Sequence, residues 1–254
     1  MTTTLVDEHG ETAVLRICRA AKRNALDDAT LLAVEGFFAA PPPHARAIVL
    51  AADGGHFSAG LDLAELTGRS TEEALEHSLM WHRVLDRIEQ SPVPVLAVLK
   101  GAVVGGGLEL AAAAHLRVAE PTAFYALPEG QRGLFVGGGG SVRLPRLIGA
   151  HRVADMMLTG RVHDAEQGQA IGLSHYLVGE GEGLSKALEL AGRVASNAPL
   201  TNFAVLRALP GIAEAAPATG YLLESLMAAV AASSDDAKAR TRAFLEHRAA
   251  KVAR

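Results

Sequence analysis

Alternation of apolar and polar positions along Ala13-Val14-Leu15-Arg16-Ile17-Cys18 predicts a strand over Thr12 to Cys18. Unbroken apolar runs predict two more strands, over Ala47 to Ala51 and Val93 to Leu99. Between them the apolar spacing becomes helical, over Ala25 to Ala39 and Thr71 to Gln90, and another helix starts near Ser141 and runs through Ala150 to Met157. Strands and helices taking turns in this way predict an α/β fold. Pro41-Pro42-Pro43 breaks the pattern between the first helix and the second strand, and is too short to link domains.

From about Leu184 the strand signals fade. Leu184 to Ala195, Gly220 to Ala232 and Asp235 to Lys251 fit Ala- and Leu-rich helices. Ser233 and Asp236 stand at capping-box spacing before the last of them. Such a tail suits either an interaction module or a helical lid on the same core.

A chain of 254 residues buries enough apolar surface to fold without staples. Its formal charge is −4 and no Lys/Arg run stands out. Nucleic acid and anionic membrane surfaces therefore find no landing patch, which leaves a small molecule or another copy of the chain as partner. The stretch Pro92 to Leu116 is weakly charged, but Lys100, Glu109 and a glycine break argue against a membrane span. The N-terminus has neither the basic nor the apolar region of a secretory leader, so the cytoplasm is expected. The lone Cys18, on a strand, reads as a small packing residue.

The chemistry concentrates in a few places. Gly105-Gly106-Gly107 follows an apolar strand and opens a helix, so its amides lie at a positive helix end with no Cβ in the way. A developing oxyanion can approach there, and one preorganised donor is worth roughly 3 kcal/mol in a transition state. Tight strand–helix packing would ask for the same glycines. Glu109 is the only ionisable group between Lys100 and His115 on a helix that reads as buried. Burial raises its pKa and the helix end lowers it, a balance that suits proton transfer or a helix-dipole partner. Glu129 follows Pro128, which fixes the chain entering it; a common helix start has the same look.

Asp53 to Leu63 offers another glycine-rich loop after a strand, with a second amide donor at Leu61. His56 occupies the first glycine position of a G-x-S-x-G elbow, which argues against Ser58 as a nucleophile. Gly137-Gly138-Gly139-Gly140-Ser141 lacks the lysine of a phosphate-binding loop. His77 and His82 are five apart on a helix, which does not stack them, and no metal is expected.

The chain resembles the enoyl-CoA hydratase/isomerase (crotonase) superfamily over nearly its whole length. The resemblance rests on Ala21-Lys22-Arg23-Asn24-Ala25-Leu26, Phe57-Ser58-Ala59-Gly60-Leu61-Asp62-Leu63, Gly101 through Leu110, Pro128-Glu129, Leu158-Thr159-Gly160 and Phe244-Leu245-Glu246-His247-Arg248, in that order. It implies a spiral of ββα units over residues 1–195 and a C-terminal helical region over 196–254 that builds a homotrimer, or a hexamer as a dimer of trimers. It further implies that Leu61 and Gly106 donate the two amides that hold a thioester oxygen, while Glu109 and Glu129 position and activate water. Lys22 and Arg23 resemble the loop beside the CoA nucleotide, although a solvated basic pair reads the same way. Ala25, Ser58, Ala59, Gly60, Asp62, Leu63 and Gly105 complete the expected substrate contacts. No cofactor is expected, because CoA enters as the substrate thioester.

Three positions depart from the family pattern. Ala114-His115 stands where many members have Cys-Asp, a packing change; Val136 replaces a proline; and Gly130-Gln131-Arg132 is unusually polar for a segment near the acyl pocket. Two glutamates favour hydration of a 2-enoyl-CoA to a 3-hydroxyacyl-CoA. The alternatives are isomerisation, C–C cleavage or thioester hydrolysis through the same enolate, and a non-catalytic acyl-CoA-binding oligomer.

Overall fold

The structure is a computed structural model and describes residues 2–66, 68–246 and 248. The chain divides into two compact units, Met1–Arg193 and Val194–Arg254.

The first unit runs β1 (Thr4–His9), β2 (Thr12–Ile17), α1 (Asp28–Ala39), β3 (Ala47–Ala52), α2 (Thr71–Glu89), β4 (Val95–Leu99), β5 (Ala102–Val104), α3 (Gly106–Ala113), β6 (Leu116–Ala119), β7 (Phe124–Ala126), α4 (Gly140–Ile148), α5 (Ala150–Thr159), β8 (His163–Asp164), α6 (Ala165–Ile171), β9 (Tyr176–Leu177) and α7 (Gly183–Ala195). β1 pairs antiparallel with β2, and parallel pairing then extends the sheet in the order β1-β2-β3-β4-β6-β9. A second sheet has the order β5-β7-β8. Successive turns of the chain, β4-β5-α3 and β6-β7-α4, each place one strand in each sheet before a helix, which is a ββα spiral. Every residue of β3 and β4 is buried, as expected for parallel strands covered on both faces.

Several boundaries differ from those the sequence predicts. β1 escapes the hydrophobic pattern because it hides no face: Leu5 and Val6 are both exposed. Helix α1 begins at Asp28 instead of Ala25, since Asp27 caps it by accepting from the Thr30 amide at 2.9 Å. Leu26, ahead of the cap, forms a parallel bridge with Leu61. The single helix expected over Ser141 to Met157 is two helices, α4 and α5, separated at Gly149, whose φ of +83° no β-carbon residue readily adopts.

The second unit is helical: α8 (Pro199–Phe203), a π-helical turn (Ala204–Ala208), α9 (Leu209–Glu214), α10 (Pro217–Ser233) and α11 (Asp235–Leu245). Ser234, not Ser233, caps α11, accepting from Ala237 N at 3.2 Å, while the Ser233 hydroxyl donates back to Val230 O at 2.9 Å. The expected continuation of this helix toward Lys251 and His247 of the C-terminal motif lie outside the described residues. No helix of the described residues is long and apolar enough to cross a membrane.

One side chain fastens the loops at the head of the main sheet. Asn24 is fully buried at a φ of +54°, a conformation asparagine tolerates better than most residues. Its amide donates to Asp53 O at 2.8 Å and His56 O at 2.7 Å, and its carbonyl accepts from Arg19 N at 2.9 Å. Asn24→Ala takes the partner from these three half-buried backbone groups and should cost about 3 kcal/mol, measured as a lowered urea midpoint. A loss below about 1 kcal/mol contradicts the fastening role.

Candidate active site

The segment from Phe57 to Asp62 is held from both sides. On one, Ala59 N donates to Arg23 O, Leu26 N to Gly60 O and Asp62 N to Leu26 O, each at 2.8–2.9 Å. On the other, Ser58 N donates to Ala102 O at 2.9 Å and Val104 N to Ser58 O at 3.1 Å, continuing the second sheet. The Leu61 amide is left over. Gly106, the first residue of α3, also has an amide without a helical acceptor. Among the described residues neither N–H donates a hydrogen bond. They are neighbours: a β-carbon on Gly106 would stand 3.3 Å from the Leu61 nitrogen. Gly105, at φ +53° and ψ −123°, makes the turn that brings Gly106 there, and a β-carbon on Gly105 would meet Glu129 Oε1 at 2.6 Å.

Leu61, Gly106, Glu109 and Glu129 line one cavity of about 290 Å³, together with Ala59, Gly60, Leu63 and Gly105. Glu109 is only 4% exposed. Its Oε1 accepts from Gly138 N at 2.8 Å and Gly140 N at 2.7 Å, both in the glycine loop before α4. Burial pushes its carboxyl above the usual range, against the pull of those amides and of the nearby Arg143 guanidinium. Glu129 sits at the entry to a single 3-10 turn, and its enclosed Oε2 has no hydrogen-bond partner among the described residues. Burial raises its pKa to about 6, and the Glu109 charge adds to the rise. Both carboxyls are thus held above the ordinary carboxylate range, a condition that suits passing a proton to or from a bound molecule.

The other expected contacts fall elsewhere. Ser58 is fully buried, its hydroxyl donating to Asn24 O at 2.8 Å and accepting from Gly60 N at 3.1 Å, so it shapes the loop and does not face the cavity. Asp62 pairs with Arg19 at 3.1 Å, and the Ala25 carbonyl is taken by the same guanidinium. Lys22 and Arg23 are exposed outside the cavity lining, with Lys22 Nζ 3.9 Å from Asp62. Of the departures from the family pattern, Arg132 lines the cavity, Gln131 turns to Thr159 O at 3.4 Å, and Val136 is buried in the core. His115 ties β4 to the end of α2 by accepting from Val95 N at 2.9 Å and meeting Glu89 O at 3.1 Å. Cys18 Sγ contacts Arg16 O, and burial pushes its thiol up to about 11, which leaves little thiolate.

Two features went unread in the sequence. Trp81 packs its ring against the glycines, where a β-carbon on Gly106 would meet it at 2.7 Å and one on Gly138 at 2.9 Å. Arg143 donates to Gly138 O at 2.9 Å and pairs with Glu89 at 2.7 Å, bracing the loop that holds Glu109. Only the glycine run itself signals this loop in the sequence.

A ββα spiral that brings two free amides, one buried carboxyl and one half-buried carboxyl to one cavity has the architecture of the crotonase superfamily. The model of the enoyl-CoA hydratase/isomerase family matches residues 7–253. The chain is 30% identical over 250 residues to the enoyl-CoA hydratase EchA19 of Mycobacterium tuberculosis, covering 96% of this chain and 94% of that protein. A crystal structure from Rhodopseudomonas palustris CGA009, which carries a provisional enoyl-CoA hydratase name, is 60% identical, covers 98% of this chain and 97% of its own, and superposes with a TM-score of 0.95. An enoyl-CoA hydratase from Bacillus anthracis superposes at 0.91 with 29% identity over 97% of each chain. The chain belongs to the enoyl-CoA hydratase/isomerase family and is an enzyme of the crotonase superfamily.

Glu129 prefers its protonated form in the folded state, so its share of stability is present below the ordinary value of 4.5 and lost as pH rises through about 6. Glu129→Gln should therefore gain stability over the parent, on the order of 1 kcal/mol, at pH 7.5 and gain little at pH 4. Chemical denaturation at the two pH values measures it; a gain independent of pH contradicts the raised pKa.

Proposed function

We propose that this enzyme hydrates a 2-enoyl-CoA to a 3-hydroxyacyl-CoA. The observation that carries the reading is the convergence of Glu109 and Glu129 on one cavity beside the free Leu61 and Gly106 amides. The thioester oxygen accepts from those two N–H groups, which polarises the conjugated double bond. Water held between the carboxyls gives a proton to one of them as its oxygen bonds to C3. The displaced electron pair makes the enolate, whose oxygen charge the amides carry. A carboxyl proton then goes to C2, and the pair is restored by the water proton.

Glu109 has one oxygen held by two amides, which leaves Oε2 to receive a water proton. Glu129, with an unpartnered Oε2 and a pKa near 6, suits donation to C2. Lys22 and Arg23, exposed beside the 57–62 segment, are proposed to meet the CoA phosphates. The enzyme works as a homotrimer or a hexamer in this reading, supported by exposed Leu222, Leu226 and Val230 on α10, an apolar face of the kind subunit contacts cover.

Loss of the enoyl-thioester absorbance with crotonyl-CoA and longer or aromatic 2-enoyl-CoAs, with the product identified by mass, tests the reaction. No turnover of any of them, or a product of unchanged mass, sinks it in favour of another use of the enolate. Glu109→Gln and Glu129→Gln should each lower kcat by about 10²–10⁴ while binding CoA thioesters nearly as the parent does.

A further inference from the structure

Helix α2 presents Ala74, His77, Ser78 and Trp81 to the cavity, the i, i+3, i+4, i+7 positions of one helical face. Trp81 lies against Gly106. His77 sits about 6 Å along the axis from it, farther along the same cavity wall. A plain hydrocarbon tail asks for apolar walls there, yet the wall carries a histidine only 7% exposed.

Asp28, at the start of α1, fixes this ring. Its Oδ1 lies 2.8 Å from His77 Nε2, and its Oδ2 accepts from Arg69 at 3.0 Å. Burial works to raise the Asp28 carboxyl, and the hydrogen bonds of Arg69 and His77 overcome it and hold the group below the usual range. The indole N–H of Trp81 also points to His77 Nε2, at 3.3 Å. One nitrogen cannot donate to a carboxylate and accept from an indole together. The shorter bond to a charged acceptor decides: Nε2 carries the proton and gives it to Asp28. Nδ1 makes no hydrogen bond among the described residues, and the Trp81 N–H is left without a proper acceptor.

We infer that His77, oriented by Asp28, is a specificity-determining residue that accepts a hydrogen bond from a hydroxyl on the acyl tail, so that the preferred thioesters carry a hydroxylated acyl chain. The inference deepens the proposed reaction and rests on it for the placing of the thioester end. An acceptor on the cavity wall favours a tail that brings a donor to it, which is how one hydrogen bond becomes discrimination.

Calorimetric binding of saturated thioesters tests this apart from catalysis, because they do not react. The wild-type enzyme should bind 5-hydroxyhexanoyl-CoA at least about threefold more tightly than hexanoyl-CoA, and more tightly than 5-oxohexanoyl-CoA, which accepts but does not donate. His77→Leu should bring the hydroxy/unsubstituted ratio close to one, and His77→Asn, which keeps an acceptor, should preserve most of it. Equal binding of the hydroxy and unsubstituted thioesters by the wild type, tightest binding of the oxo compound, or an unchanged ratio in His77→Leu overturns the inference. Should His77→Leu fail to fold, the wild-type ratios and His77→Asn still decide. A preserved ratio in an enzyme that hydrates no enoyl-CoA sinks only the proposed reaction.

Discussion

The grip of two loop amides on the buried Glu109 carboxylate is the constraint around which the site is arranged. Taking a carboxylate out of water is expensive unless its lone pairs are met. Here one oxygen receives both the Gly138 and Gly140 N–H groups, and nothing comes from Glu109's own helix turn. The glycine loop can approach so closely because a β-carbon on Gly140 would stand 2.8 Å from the same carboxyl. Arg143, tied to Gly138 O and to Glu89, holds the loop in place and adds positive charge nearby. The carboxylate thus joins α3, the loop before α4 and the end of α2, and a change to any of them alters its proton affinity.

The free amides depend on a different kind of constraint. A backbone N–H stays unpaired in a folded interior only if its neighbours are occupied and the chain cannot turn it elsewhere. The 57–62 segment meets this condition by behaving as a strand shared between two partners, the 23–26 loop on one side and β5 on the other, with Leu61 at the position neither partner reaches. Asn24 and Ser58 finish the lacing with side-chain bonds. The free amides are therefore built from backbone, while the two carboxyls of the cavity come from α3 and from the turn after β7.

Much of this was legible in the sequence, for reasons tied to range. β3 and β4 show as apolar runs because both their faces are covered, and α2 shows because its helical periodicity is strong. The glycine turn before Glu109 and the proline before Glu129 are likewise local signals. What stayed hidden is non-local. β1 has no buried face to pattern. Ser58, expected at the substrate, turned inward because its hydroxyl partners come from residues 24 and 60. The second glycine loop was read only for what it lacked as a phosphate cradle; its role as the clamp on Glu109 depends on a contact across 29 and 31 residues.

Long-range packing also shapes the His77 side of the cavity. Of Gln131, Arg132 and Val136, which depart from the family pattern in the segment after Glu129, only Arg132 reaches the cavity wall. The polar groups that face the tail from α2 are His77 and Ser78. Ser78 already donates to Gly137 O at 2.6 Å and so steadies the glycine loop, whereas His77 is held from behind by an aspartate 49 residues away. A helical stripe reading Ala-His-Ser-Trp looks like an ordinary amphipathic face until α1 is packed against it. The Asp28 contact then fixes which ring nitrogen bears the proton and leaves the other as an acceptor, so tail recognition is set by the packing of α1 on α2 as much as by the residues that line the cavity.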